Sequence, residues 1–320
     1  MTKDEKKLKI AIQMDPLEKL NLKGDTTFIL GLEAIKRGFE VFFYSPSNLI
    51  YKNNFVYANT RILNLDLKNN KETFHYGEEK ILSLSSFDVV LMRQDPPFDM
   101  SYITATHLLE KVVSQTLVLN DPFHVRNAPE KIFVTEFSKY MPDTLITRDI
   151  NEIVKFKKKN KNIIVKPLYG NGGEGVFYIK DKDSNFNVIL ENFLNSKKEQ
   201  FIIQSYIPEV KKGDKRIILI DGEVVGAINR IPAKNENRSN MHVGGKPIKT
   251  SLNKNDKLIC EAISPHLKAK GLFFVGIDVI GKYLTEINVT SPTGIREINR
   301  LNKTKIEKVF WDKVSTKLIN

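Results

Sequence analysis

The feature that most constrains this chain is a change in the rhythm of its apolar runs near residue 123. Before that point short strand-like runs alternate with helical ones. KLKIAIQM reads as a strand, and Asp25 then offers an N-cap to a helix with Phe28, Ile29, Leu32 and Ile35 on one face. Gly38 stops that helix and EVFFY is the next strand. DVVLM and TLVLN read as further buried strands, with a helix over 102–113 between them, which is the alternation of a parallel α/β sheet. Beyond residue 123 a short helix over 129–140 leads into a different pattern. NIIVKPL, VFYIK and FIIQSYI are strands parted by glycine-rich or polar loops, and RIILIDGEVVGAINR is a hairpin turning at Asp221-Gly222. A helix over 255–270 follows, which Pro265 is expected to bend or interrupt. The expected fold class is therefore mixed: an α/β domain first, then an α+β arrangement.

Composition narrows the partners. At 320 residues the chain is long enough for two or three lobes, and 41% hydrophobic with 28% charged residues is ordinary globular usage. The net charge of +12 suits acidic ligands such as nucleotides. It does not point to nucleic acid, because the lysines are spread along the chain, and runs such as KFKKKN (155–160) read as solvated faces without interleaved aromatics. Cys260 is the only cysteine, which excludes an internal disulfide and any multi-cysteine metal site and fits a reducing cytoplasm. The opening MTKDEKK has no apolar core of a signal peptide, and no apolar run approaches the roughly 20 residues of a membrane span. The five histidines show no metal-ligand spacing.

Two motifs carry chemistry. KPLYGNGGEGVFYIK contains Gly170, Gly172 and Gly175 in the spacing of a dinucleotide fingerprint, but a strand follows the glycines where the fingerprint requires a helix. A strand, glycine loop, strand arrangement can instead fold over a triphosphate and offer it backbone N–H groups; an ordinary flexible turn is the plain alternative. Lys166, in a strand otherwise made of Ile163, Ile164 and Val165, needs either a negative partner or an exposed edge. The second motif is FFVGIDVIGKYLTEINV, two strands around Gly281. A three-residue turn centred on Lys282 would set Asp278 opposite Glu286, whereas a two-residue turn would set it opposite Thr285. The former collects Asp278, Glu286 and Asn288 on one face as hard oxygen ligands for Mg²⁺; a solvent-facing polar surface is the alternative. Arg216, beside Asp214 in GDKR, and Arg230 could hold a carboxylate and a transferring phosphoryl group. The polar stretch 232–250 is either a lid or a mobile loop.

With these residues in view, the chain resembles the bacterial-type glutathione synthetases of the ATP-grasp superfamily over nearly its whole length. QMDP (13–16), LMRQDPPFD (91–99), PEKIF (129–133), VKPLYGNGGEGVF (165–177), GDKRIILIDGE (213–223), RIP (230–232), GLFFVGIDVIG (271–281) and LTEINVTSPTGIREI (284–298) carry the resemblance. It implies an N-terminal α/β substrate domain over 1–123 and a two-lobed ATP-grasp fold. The small lobe with the glycine flap would span 124–205 and the large lobe with the metal and substrate site 206–320. The implied reaction is ATP-dependent joining of γ-glutamylcysteine to glycine through an acyl phosphate, giving glutathione, ADP and phosphate. Another ATP-grasp carboxylate–amine ligase is the runner-up. By position, the resemblance puts Lys131 and Lys166 on the ATP phosphates, Gly172 and Gly173 in the flap, and Gln204, Ser205, Tyr206 and Ile207 at adenine, with Asp214 in the same nucleotide set. Asp278, Glu286 and Asn288 would hold Mg²⁺, with Mn²⁺ as a substitute. Arg216 and Arg230 would orient the peptide and neutralise the intermediate, Arg93, Ser291 and Thr293 would line its pocket, and Arg238 would close over the site. A homotetramer is also implied. The chain departs from the family at Gln94, commonly lysine, and at Glu174, commonly smaller.

Overall fold

The computed structural model describes residues 7–319 apart from 17–20, 23, 69–70, 197, 235, 237 and 242–243, so part of the expected lid lies outside the described residues. The first sheet is built from β1 (Lys9–Gln13), β2 (Glu40–Tyr44), β3 (Leu49–Lys52), β4 (Phe55–Lys68), β5 (Lys71–Ser83), β6 (Val89–Met92) and β7 (Leu117–Leu119). Its strand order is β3-β4-β2-β1-β6-β7, with β5 on β4. Strands β2, β1, β6 and β7 are parallel, as the apolar runs predict. The α1 helix (Thr26–Lys36) begins at the predicted cap, where the Asp25 carboxylate accepts the Phe28 N–H at 2.5 Å, and α2 (Met100–Glu110) is capped in the same way by Asp99. The sheet is nonetheless mixed, since β3, β4 and β5 run antiparallel. Those strands mix apolar with polar residues, such as the opposed Arg61 and Glu79, so they lack the continuous apolar signal of a doubly covered strand.

After α3 (Pro122–Arg126) and α4 (Glu130–Phe133), a second sheet combines β8 (Thr144–Thr147), β9 (Ile163–Pro167), β10 (Phe177–Ile179) and β11 (Phe201–Ser205), all antiparallel, in the order β10-β9-β11-β8. Helices α5 (Ile150–Asn160) and α6 (Phe186–Ser196) cover one face. Ile163, Val165, Phe201 and Ile203 point into that small core with Ile153, Leu190 and Phe193. By the period-two rule Ile164 and Lys166 must then face the other way, into a cleft. KFKKKN forms the last turns of α5; Lys157 is buried within it and the run is not wholly a solvated face.

The third sheet contains β12 (Asp214–Ile220), β13 (Glu223–Ile231), β14 (Lys246–Lys249), β15 (Phe274–Ile280) and β16 (Tyr283–Asn288), in the order β14-β13-β12-β15-β16. Asp221 and Gly222 both have positive φ, 50° and 71°, as a two-residue primed turn requires. Helix α7 (Lys254–Ala269) runs through Pro265 without a break, starting from an Asn253–Asp256 capping box. Ile217, Leu219, Ile277 and Ile287 face one core and Ile218, Ile220 and Ile228 the other. Both of these cores continue into the first sheet. Helix α8 (Ile295–Asn302) is followed by α9 (Ile306–Ile319), which returns to α1, where the Trp311 indole N–H donates to the Leu30 carbonyl at 2.8 Å.

Candidate active site

A cleft of about 900 Å³ lies between the second and third sheets. Its floor follows from strand parity. On β12, Asp214 and Arg216 share the face of Ile218 and Ile220; Asp214 is opposite Arg230 and Arg216 is opposite Asp278. The β15–β16 hairpin adds Glu286 directly opposite Asp278. The register has a different origin from the expected three-residue turn. Ile280 pairs with Tyr283 across a two-residue turn, and Thr285 is an extra residue in β16 between Leu284 and Glu286. This bulge restores the Asp278–Glu286 pairing, and the Thr285 hydroxyl donates to the Asp278 carbonyl at 3.1 Å.

The charges form one connected network. Arg216 donates to both Asp278 oxygens, from Nε at 2.6 Å and Nη2 at 2.9 Å, and Arg230 Nη2 lies 3.0 Å from Asp278 and 2.5 Å from Asp214. Lys131, from α4 packed beside β16, and Lys166, from β9 on the opposite wall, approach the Glu286 carboxylate at 3.6 and 3.5 Å. Burial would push Asp278 up, but Arg216 and Arg230 prevail and hold it well below the usual carboxylate range. Burial likewise opposes the ionised Glu286, and Lys131 and Lys166 outweigh it. Asp214 behaves oppositely: burial pushes it up to about 6 against the pull of Arg230. Burial lowers Lys166, whereas Lys131 is raised because Glu286 and the adjacent Glu130 overcome its desolvation.

Around this network the structure gathers nearly all of the expected residues. Gly172 and Gly173, both at positive φ, lie in the loop between β9 and β10, and a Cβ on Gly173 would press on Asn240 and Arg238. Arg238 Nη1 donates to the Gly173 carbonyl at 3.3 Å and pairs with Glu236 at 2.6 Å. Gln204, Ser205, Tyr206 and Ile207 line one end of the cleft, and Ser291 and Thr293 line the wall near Arg216, which donates to the Thr293 carbonyl at 3.2 Å. Arg93 is the exception and corrects the expectation that it lines the pocket. Its guanidinium lies behind the wall, donating to Thr27 and to the Pro292 carbonyl, each at 3.0 Å, so it supports the 290–293 segment from the rear. Gln94 is also buried, accepting from the Gln13 amide at 2.7 Å, while Glu174 lines the cleft.

Sequence reasoning missed Glu130, although it precedes Lys131 in the quoted PEKIF, and Ser239, whose hydroxyl donates to Asp214 at 2.8 Å. It also missed the Tyr178–Tyr206 stack, with centroids 4.2 Å apart, because partners from distant strands leave no local signal.

Among the described residues no group of three His, Cys, Asp or Glu side chains could hold a metal ion. The set that fits one is two carboxylates and a carboxamide: Asp278, Glu286 and Asn288. All three line the cleft, and Asn288 Nδ2 is buried without a hydrogen-bond partner. These are hard oxygen donors of the kind divalent cations take alongside phosphate.

Comparison with known proteins agrees with this architecture. The family model for the prokaryotic glutathione synthetase N-terminal domain matches residues 8–126, and that for the prokaryotic glutathione synthetase ATP-grasp domain matches 130–303. Glutathione synthetases of Mesorhizobium japonicum and Agrobacterium fabrum are 54% and 52% identical to the chain. They cover 97% and 96% of it and 99% and 96% of their own lengths. Among solved structures, a RiPP-associated ATP-grasp ligase of Chryseobacterium gregarium, in complex with ADP and a leader and core peptide, shares the fold. It has a TM-score of 0.64 at 19% identity over 97% of each chain. On the matched models and full-length relatives together, the chain belongs to the prokaryotic glutathione synthetase family.

Proposed function

We propose that this cleft performs ATP-dependent synthesis of glutathione, with each part of the network serving one stage. The chain joins γ-glutamylcysteine to glycine. The observation that carries the reading is the convergence on Glu286 of Lys131, from α4 beside β16, and Lys166, from across the cleft, next to an Asp278 clamped by Arg216 and Arg230. Cations and carboxylates gathered in this way support a reading in which a triphosphate, a metal and a substrate carboxylate converge there.

In this reading Lys131 and Lys166 exchange Glu286 for the ATP phosphates, and Gly172 and Gly173 lay their backbone over them. Asp278, Glu286 and Asn288 hold Mg²⁺, or Mn²⁺ in its place, which when bound neutralises phosphate charge. Asp214 supports the nucleotide side by fixing Arg230. At the far end the Ser205 and Tyr206 N–H groups are already given to the Asp143 and Asn162 carbonyls, at 2.9 and 3.0 Å. Adenine is therefore read by the carbonyls of Gln204 to Tyr206 and the backbone of Ile207.

The cysteine carboxylate of the dipeptide attacks the γ-phosphorus of ATP, giving an acyl phosphate and ADP. Arg216 and Arg230 orient that carboxylate and stabilise the charge as it forms, since both guanidiniums are buried and already aimed at a carboxylate. The glycine amine then attacks the acyl carbon and phosphate leaves, with loss of one amine proton. No protein nucleophile takes part. Ser291 and Thr293 line the peptide side, Arg93 holds their segment from behind, and Arg238 covers the centre so that water does not compete for the acyl phosphate.

The same reading makes the protein a cytoplasmic homotetramer without nucleic-acid or membrane partners. Among the described residues no helix is long and apolar enough to cross a membrane. The test is phosphate release from purified protein given Mg²⁺, ATP and γ-glutamylcysteine, with and without glycine, and the product identified by mass. Glycine-dependent release with glutathione is expected; release with other amines but not with glycine would move the substrate.

A further inference from the structure

The loop over 168–176 is costly to order, because its glycines lose more conformational freedom than any other residue. Three groups from outside its own sheet nevertheless fix it. Lys131 Nζ donates to the Gly170 carbonyl at 2.6 Å, Arg238 reaches the Gly173 carbonyl, and the Tyr169 ring lies at 13° to that of Phe98 with centroids 6.2 Å apart. The first two residues belong to the cleft. Tyr169 does not line it and is 39% exposed, so its side chain makes no use of an occupant directly.

What Tyr169 touches gives it a role. Phe98 in turn packs on Tyr102 with the rings tilted by 35° and centroids 5.2 Å apart, and Tyr102 is buried in the core of the first sheet. Phe98 also belongs to the segment 93–99, which supplies Asp95 and Pro96 to the cleft wall and, through Arg93, holds the Pro292 carbonyl. One short segment therefore touches both the peptide side of the cleft and the flap.

We propose that Tyr169 is a positioning residue: by stacking on Phe98 it presets the glycine loop over the triphosphate and ties nucleotide affinity to occupancy of the peptide side. This rests on the assignment of the cleft given above. Coupling of this kind is reciprocal, so the dipeptide strengthens nucleotide binding by the factor by which nucleotide strengthens dipeptide binding.

The test uses the full chain with Mg²⁺ and a non-hydrolysable ATP analogue, titrated with and without γ-glutamylcysteine. An aromatic pair of this geometry corresponds to about a 2- to 12-fold effect. Tyr169→Ala should weaken analogue binding by that factor and remove the strengthening by dipeptide. In turnover, KM for ATP should rise by the same factor with kcat within about twofold, because flap contacts serve ground and transition states alike. Tyr169→Phe should restore both, since the hydroxyl is not used. Phe98→Ala should give the same loss, and the double variant no more than either single one. Unchanged analogue affinity in Tyr169→Ala, or losses that add in the double variant, would overturn the proposal. Analogue binding needs no turnover, so failure of the wild-type chain to make glutathione would sink the assigned reaction and leave this measurement standing.

Discussion

Glu286 shows how much one residue is asked to do. It pairs with two buried lysines and faces Asp278, so Glu286→Gln leaves Lys166 without its carboxylate partner and Lys131 with Glu130 alone. We expect turnover to fall by at least about 10²- to 10³-fold, the usual loss for one electrostatic group at a reacting centre, with the fold retained. Near-normal phosphate release from that variant would remove Glu286 from the metal set. Asp214 gives a pH signature. Its folded value of about 6 is above that of an unfolded aspartate, so the folded protein binds the extra proton. The stability this gives is full below about pH 4 and is lost as pH rises to 6. Asp278 has the opposite sign: its contribution is present above the unfolded aspartate value and is lost on acidification. Asp214→Asn should therefore flatten the fall in unfolding free energy between pH 4 and 6, a difference of about 1–3 kcal/mol readable by urea denaturation at each pH. A slope equal to that of the wild type would show that Asp214 titrates normally. At this scale the sequence was informative where a residue broke its own pattern, as Lys166 and Glu286 do. It was silent on Arg93, because nothing local says on which side of a wall a guanidinium ends.

Elements show why some geometry was legible and some was not. The Asp221-Gly222 turn is written in its dipeptide, since few other pairs accept positive φ at both positions. The β15–β16 hairpin was not, because the parity of Asp278 and Glu286 can be met by a longer turn or by a bulge, and both solutions satisfy the same apolar pattern. The antiparallel ribbon of β4 and β5 escaped notice for a related reason: a partly solvated ribbon pairs charges across strands and carries no sustained apolar run. Gly222 allows a check at this scale. A Cβ there would collide with the Ser264 hydroxyl and meet Lys268 at 2.8 Å, besides straining a φ of 71°. Gly222→Ala should cost about 1–3 kcal/mol of stability. The turn sits at the end of the sheet away from Asp214 and Arg230, so KM and kcat of the surviving folded protein should not change. An altered KM would mean that strain at the turn reaches the site.

For the whole molecule, the decisive fact is how the three sheets share their cores. The first and third sheets are joined by two common cores and by α9, which returns from the end of the chain to pack on α1. Reading segments in order along the chain gives no hint of this return, because the partners are separated by more than 270 residues. The second sheet has a small core of its own. A lobe held in that way opens at lower cost than the rest, which suits one jaw of a nucleotide cleft. Trp311 is the only tryptophan and lies in the core shared by the first and third sheets, so its fluorescence reports that body alone. Far-UV circular dichroism reports all three sheets. In urea the dichroism should begin to fall before the Trp311 emission shifts, and the gap should close when Mg²⁺ and ATP are added, because the ligand binds only where both jaws are folded. If the two probes coincide in the absence of nucleotide, the second sheet is not a separate cooperative unit. The closing of the cleft would then have to come from rigid rotation of a jaw, with no partial opening of its core.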